Sequence, residues 1–119
     1  MMEARRHAAL RARAEVIKAL AHPTRLFIVE ELERGERCVA ALTAQIGADM
    51  STVSRHLAIL KDAGIVRSAR RGAQIYYSLS VPCILNFFGC VEAVLRSSAK
   101  ERTRLATERT WLGRGAGRR

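Results

Sequence analysis

Residues 50–66, Met50-Ser51-Thr52-Val53-Ser54-Arg55-His56-Leu57-Ala58-Ile59-Leu60-Lys61-Asp62-Ala63-Gly64-Ile65-Val66, constrain this chain more than any other segment. Val53, Leu57 and Leu60 recur at helical spacing with Ile59 alongside, which predicts a short amphipathic helix with one buried face. Ser51, Thr52, Ser54, Arg55 and His56 crowd the first turns of the other face. Small hydroxyls and an arginine so placed can reach base edges and phosphates in a DNA major groove. Gly64 then stops the helix, as a glycine just past a C-cap does.

The flanking segments give that helix a context. Cys38 to Ile46 predicts a shorter helix with Val39, Leu42 and Ile46 inward, and Gly47-Ala48-Asp49 predicts a tight turn in which Asp49 caps the helix opening at Ser51. Helices at 38–46 and 50–63 joined by such a turn form a helix-turn-helix. Ile65–Ala69 and Ala73–Leu79 predict two strands joined by Arg70-Arg71-Gly72, because Gln74, Tyr76 and Ser78 alternate with Ile75, Tyr77 and Leu79. Upstream, residues 8–20 carry an apolar stripe of Leu10, Ala14, Ile17 and Leu20, and Pro23 suits the first turn of a second helix ending near Glu33. Ser80-Val81-Pro82 opens a last long helix through Arg96 and beyond. The expected fold is mainly α with a β-hairpin wing: a winged helix-turn-helix in the order α-α-α-α-β-β-α, homodimeric. Residues 1–97 are expected to form the DNA-binding and dimerisation domain, and 98–119 a helical extension ending in a basic flexible tail.

Composition narrows the partners. A chain of 119 residues is one domain with a small core, which a dimer that shares it would enlarge. Lys and Arg number 21 against 11 Asp and Glu, a formal charge of +10, which favours a polyanion: nucleic acid first, anionic membrane second. Arg114, Arg118 and Arg119 in the Gly-rich end account for only part of the excess, since Arg67, Arg70 and Arg71 in the hairpin are basic too. The apolar stretch from Val81 to Leu95 is too short to span a bilayer and is broken by Asn86 and Glu92. The N-terminal residues are charged with no apolar segment after them, so a cytoplasmic location is expected. No nucleophile–base pair, phosphate loop or carboxylate dyad points to an enzyme.

Three segments together resemble the ArsR/SmtB winged-helix repressors, the bacterial and archaeal metal and metalloid sensors. Leu20-Ala21-His22-Pro23-Thr24-Arg25-Leu26 is similar to that family's opening motif. Ser54-Arg55-His56-Leu57-Ala58-Ile59-Leu60 with Ala63-Gly64-Ile65-Val66 looks like its recognition helix, and Gly72 to Leu79 like its second wing strand. The resemblance covers roughly residues 14–95 and implies a homodimer that binds a palindromic operator and leaves it when an inducer binds. Two recognition helices must then sit about 34 Å apart, one DNA turn. By position, Ser51, Thr52, Ser54, Arg55 and His56 would read bases and phosphates, with Arg55 foremost and Ser51 also able to serve as a cap. Arg70 and Arg71 at the wing tip, with Gln74 beside them, would reach phosphates or the neighbouring minor groove.

Cys38, Cys83 and Cys90 carry the remaining chemistry. An odd number of thiols in a cytoplasmic protein is no disulfide framework, and reduced thiols are free to bind soft metals or sense oxidants. The family's arsenic sensors often have a Cys-Val-Cys box at the start of the helix-turn-helix; here Cys38-Val39-Ala40 keeps the first cysteine and loses the second. Two further thiols on the last helix would complete a three-thiolate site of the kind that suits As(III) or Sb(III), the expected inducers. Seven residues apart on a helix, Cys83 and Cys90 are separated by about 10.5 Å and cannot both hold one ion within one regular helix. Pairing across a dimer, or unwinding near Pro82, would each solve this. Redox or persulfide sensing is the alternative use of the same thiols, and a structural role for the cysteines in a constitutive DNA binder is another. Glu92 alone on the last helix does not make a site for a harder metal. His7 and His22 are expected at the surface and at the opening of a helix respectively.

Overall fold

The computed structural model describes residues 2–113, which divide into two compact units, the first ending at Pro82 and the second starting at Cys83. The first unit holds seven elements: α1 (Met2–Leu20), α2 (Pro23–Glu33), β1 (Arg37–Cys38), α3 (Val39–Ile46), α4 (Met50–Asp62), β2 (Val66–Arg71) and β3 (Gln74–Leu79). The second unit is the helix α5 (Ile84–Gly113). α3 and α4 form the helix-turn-helix and β2–β3 the wing, so the winged helix-turn-helix stands. The basic tail expected over 114–119 lies outside the described residues. No helix among the described residues is long and apolar enough to cross a membrane.

Local chemistry sets the helix boundaries. Pro23 opens α2 behind His22, whose Nδ1 accepts the Thr24 N–H at 3.0 Å. Asp49 opens α4 by accepting the Thr52 N–H at 2.8 Å. Gly47 closes α3 in the left-handed region (φ 81°), donating its N–H to Thr43 O at 2.9 Å. At the end of α4, Gly64 (φ 85°) donates to Lys61 O at 2.9 Å and Ile65 donates to Leu60 O at 3.0 Å. Those two bonds are a Schellman motif, and Ile65 and Leu60 are both buried, the apolar contact that usually accompanies it.

The sheet has three antiparallel strands in the order β1-β3-β2, one more than the expected hairpin. β2 and β3 pair from Val66↔Leu79 to Arg71↔Gln74, which leaves only Gly72 and Ala73 in the turn. Arg70 and Arg71 are therefore strand residues and not the turn itself. Gly72 alone has positive φ (62°), the pattern of a two-residue type II′ hairpin. β1 is two residues long and exists through its pairing with β3, Arg37↔Tyr77 and Cys38↔Tyr76.

The core of the first unit brings together Ile28, Val29 and Leu32 from α2, Leu42 from α3, and Val53, Leu57 and Leu60 from α4, closed by Ile65 from the turn after α4 and by Val66 and Leu79 from the wing. Removing each such side chain from water stabilises the fold by roughly 1.5–3 kcal/mol, so α4 is held by its three anchors and not by helix propensity. α1 begins earlier than the stripe over residues 8–20 suggests, and Leu10 and Ile17 on it are exposed. In the second unit Phe87, Val91, Val94 and Leu95 are exposed on α5.

Candidate nucleic-acid interface

α4 presents its two faces in the period the core dictates. Val53, Leu57 and Leu60 point inward; Ser51, Ser54, Arg55 and Ala58 are exposed, and Thr52 is half-buried. The first turn is ordered by Asp49: the Ser51 hydroxyl donates to its Oδ1 at 3.2 Å and the Thr52 amide at 2.8 Å. Hydrogen bonds from the Thr52 side chain and amide, then from Ser51, hold the Asp49 carboxyl below the usual range, and nearby Arg55 adds to the effect. Ser51 and Thr52 are thus engaged in capping. Ser54 and Arg55 are left as the outward polar pair of the helix, with the guanidinium free to take the planar, two-pronged contacts that guanine or phosphate offers.

His56 does not share that face. It lies three residues after Val53 and four before Leu60, on the inward side, where it is half-buried. Arg25 Nε donates to its Nδ1 at 3.1 Å, and the His22 ring lies 4.4 Å away, tilted by 43°. Arg25 also donates Nη1 to Ala19 O at 2.9 Å. Burial first, then the neighbouring His22, Arg25 and Arg55, push His56 below the ordinary histidine value. Two segments carrying the family resemblance, His22-Pro23-Thr24-Arg25 and Arg55-His56-Leu57, therefore meet in space through one hydrogen bond and one ring contact.

The wing arginines point to different sides. Residues alternate across a strand, so Arg71, Ala69 and Arg67 share one face of β2 and Arg70 lies on the other. Arg71 pairs with Glu36, in the loop before β1, and its guanidinium sits over the Tyr76 ring, 4.4 Å from the centroid. Tyr76 is diagonal to Arg71 on the same face, since Ala69 is its direct partner. The ion pair lowers the Glu36 carboxyl and raises Arg71. Arg70 and Gln74 are exposed, Gln74 directly opposite Arg71. Glu36, Tyr76 and Arg25 are partners the sequence does not announce: Glu36 is 35 residues from Arg71 and Arg25 is 31 from His56.

The cysteines are free. Cys38 is half-buried as the last residue of β1 and the N-cap of α3, where it makes no side-chain cap bond. Cys83 is exposed in the turn before α5, its carbonyl accepting the Asn86 N–H at 3.0 Å, and Cys90 is exposed on the helix. Cys83 is thus outside the regular helix, so the helical separation from Cys90 does not apply to it. Among the described residues of one chain, no three His, Cys, Asp or Glu groups gather that could hold a metal ion.

The first unit is thus a winged helix-turn-helix whose second helix, α4, turns polar side chains outward. The sequence profile described as "Bacterial regulatory protein, arsR family" matches residues 22–68. Rv0081 of Mycobacterium tuberculosis, described as an uncharacterized HTH-type transcriptional regulator, is 34% identical over 91 residues, covering 76% of this chain and 80% of that protein. Its crystal structure superposes with a TM-score of 0.71 at 32% identity, over 80% of this chain and 96% of that one. The solution structure of the homodimeric winged helix-turn-helix DNA-binding domain Mb0332 of Mycobacterium bovis has a TM-score of 0.70 at 34% identity, covering 82% and 90% of the two chains. The biofilm growth-associated repressor of Xylella fastidiosa is 42% identical over 67 residues, which span 56% of this chain and 59% of that protein. The chain belongs to the arsR family of bacterial regulatory proteins, a family of regulators and not of enzymes.

Proposed function

We propose that the protein is a transcriptional repressor that binds operator DNA as a homodimer and is released by a thiophilic inducer. The observation that carries this reading is the outward face of α4, where Ser54 and Arg55 stand exposed beside a first turn fixed by Asp49. α4 would enter the major groove, and the exposed tip of the wing, with Arg70 on one face and Gln74 on the other, would meet the adjacent backbone. Relatives named repressors support the direction of control, and the homodimeric Mb0332 domain supports the assembly. Exposed Leu10 and Ile17 on α1, and Phe87, Val91 and Val94 on α5, are apolar surface for a second copy to cover.

For the inducer, three thiolates from Cys38, Cys83 and Cys90 match the soft, three-coordinate preference of As(III) or Sb(III). The ligands would be gathered by the dimer or by the metalloid as it binds. Such binding biases the protein to a DNA-incompetent state, by a differential of about 1–3 kcal/mol for typical coupling. The exposure of both Cys83 and Cys90 favours a second reading, in which peroxide or polysulfide oxidises two thiols and drives the same release. Titrating arsenite, antimonite and peroxide against the reduced protein on its operator separates these readings. Release by arsenite that Cys38→Ser abolishes, with operator binding intact, is the expected result. Release by peroxide alone would assign the thiols to redox sensing.

A further inference from the structure

Two histidines and one arginine tie α4 to the start of α2 and the end of α1, behind the face that carries Ser54 and Arg55. His22 uses its Nδ1 lone pair to accept the Thr24 N–H as the N-cap of α2. His56 uses its own Nδ1 lone pair to accept Arg25 Nε. Arg25 spans the gap by also donating to Ala19 O at the end of α1. An imidazole accepts a hydrogen bond only while neutral; the imidazolium has two N–H donors and no lone pair in the ring plane. Both hydrogen bonds therefore require neutral rings, and the rings lie 4.4 Å apart, where two positive charges would repel.

The groups that act on His56 include no anion: His22 at the N-cap of α2, Arg25 on α2, and Arg55 on its own helix. α1 meets Arg25 with the neutral Ala19 carbonyl. Beyond Arg25 runs a groove of about 440 Å³ between α1 and α4, and its ionisable residues Glu15, Lys18 and Asp62 carry both signs. Proton uptake at His56 would set its new N–H against that of Arg25 and add a cation to this group.

We propose that His22, Arg25 and His56 form a clamp that seats the recognition helix only while both imidazoles are neutral, so that DNA binding weakens on acidification. The lowered His56 value gives the same sign: its contribution is complete above about pH 6.5, the unperturbed value, and is lost as pH falls through the folded one. The direction is diagnostic. A histidine that merely faced phosphates would bind DNA more tightly when protonated. The proposal rests on α4 as the DNA-reading helix, but the clamp is also testable without DNA.

The test uses the full-length reduced protein, a duplex that it selects from a random pool at pH 7.5, and fluorescence anisotropy from pH 8 to 5 at fixed ionic strength. A clamp that cannot bind DNA once protonated weakens affinity by about tenfold per pH unit for each proton below the folded value. We expect wild-type affinity to hold above about pH 6.5 and to fall below it, by at least threefold between pH 7.5 and pH 5. The His22→Asn/His56→Asn variant keeps a neutral acceptor at each place and should change by less than twofold, or tighten. Thermal unfolding of the free proteins is read over the same range, and the midpoint should fall further for the wild type than for the variant. Wild-type affinity that holds or rises on acidification overturns the proposal, as does a variant that loses affinity in parallel with it. If no duplex is selected at pH 7.5, the DNA-binding reading fails, and the unfolding series alone decides the clamp: parallel falls refute it. The wild-type profile and the single variant His22→Asn, whose asparagine is itself a preferred N-cap, serve if the double variant does not fold.

Discussion

Gly64 offers a quantitative check on how α4 is joined to the wing. Its φ of 85° lies where an L side chain is strained, yet a Cβ built there meets nothing within 4 Å. Substitution by alanine is therefore a conformational perturbation with no steric clash. Holding a non-glycine residue in the left-handed region costs roughly 1–2 kcal/mol. The narrower unfolded ensemble of alanine offsets roughly 0.4–1 kcal/mol of this. The net destabilisation of Gly64→Ala is about 1 kcal/mol, or about 3–6 °C in melting temperature for a chain of this size. Gly64→Asn should recover part of the loss, because asparagine tolerates the left-handed conformation. Urea unfolding followed by circular dichroism measures both, with the m-value checking that the unfolded state is unchanged. A Gly64→Ala protein as stable as the wild type, or an asparagine variant no better than alanine, would refute the claim that this backbone angle ends α4.

Other outcomes rest on the same structure. Leu57→Ala, which empties a fully buried site at the centre of α4's inner face, should cost about 3–4 kcal/mol in urea unfolding. Glu36→Gln releases Arg71 from its carboxylate partner, so DNA binding should tighten at low salt and its slope against log salt should steepen by about 0.9. The depressed carboxyls of Asp49 and Glu36 contribute stability that is present above their ordinary values and lost as pH falls through the lowered ones. Acid unfolding of Asp49→Asn should accordingly show a shallower loss below about pH 4 than the wild type.

Much of this fold is legible in the sequence because local signals agree. α2, α4 and β3 each combine an apolar period with a boundary residue, Pro23, Asp49 with Gly64, and the Gly72 turn. β1 is not legible: two residues have no period, and they become a strand only because β3 lies beside them. The hairpin turn sits later than the Arg70-Arg71-Gly72 run suggests because β2 pairs through Arg71. In the interface, the outward position of Ser54 and Arg55 is readable from the helical period. His56, expected on that outward face, lies inward instead, because Val53, His56, Leu57 and Leu60 follow the i, i+3, i+4, i+7 spacing of a buried stripe. A polar residue in that stripe needs a partner, and Arg25 provides it. The pairing of Arg71 with Glu36 has no local signal, because the sheet register brings together residues far apart in sequence.

The central claim is that α4 reads DNA with Arg55 as its principal contact and that two copies do so together. Selection of duplexes from a random pool by the reduced protein, repeated with Arg55→Ala, tests this most directly. The account predicts enrichment of an inverted repeat whose half-sites are centred about 10–11 base pairs apart, or a multiple of one turn, and at least tenfold weaker binding of that sequence by the variant. Enrichment of no sequence, or equal affinity of the Arg55→Ala protein for the selected repeat, would contradict it.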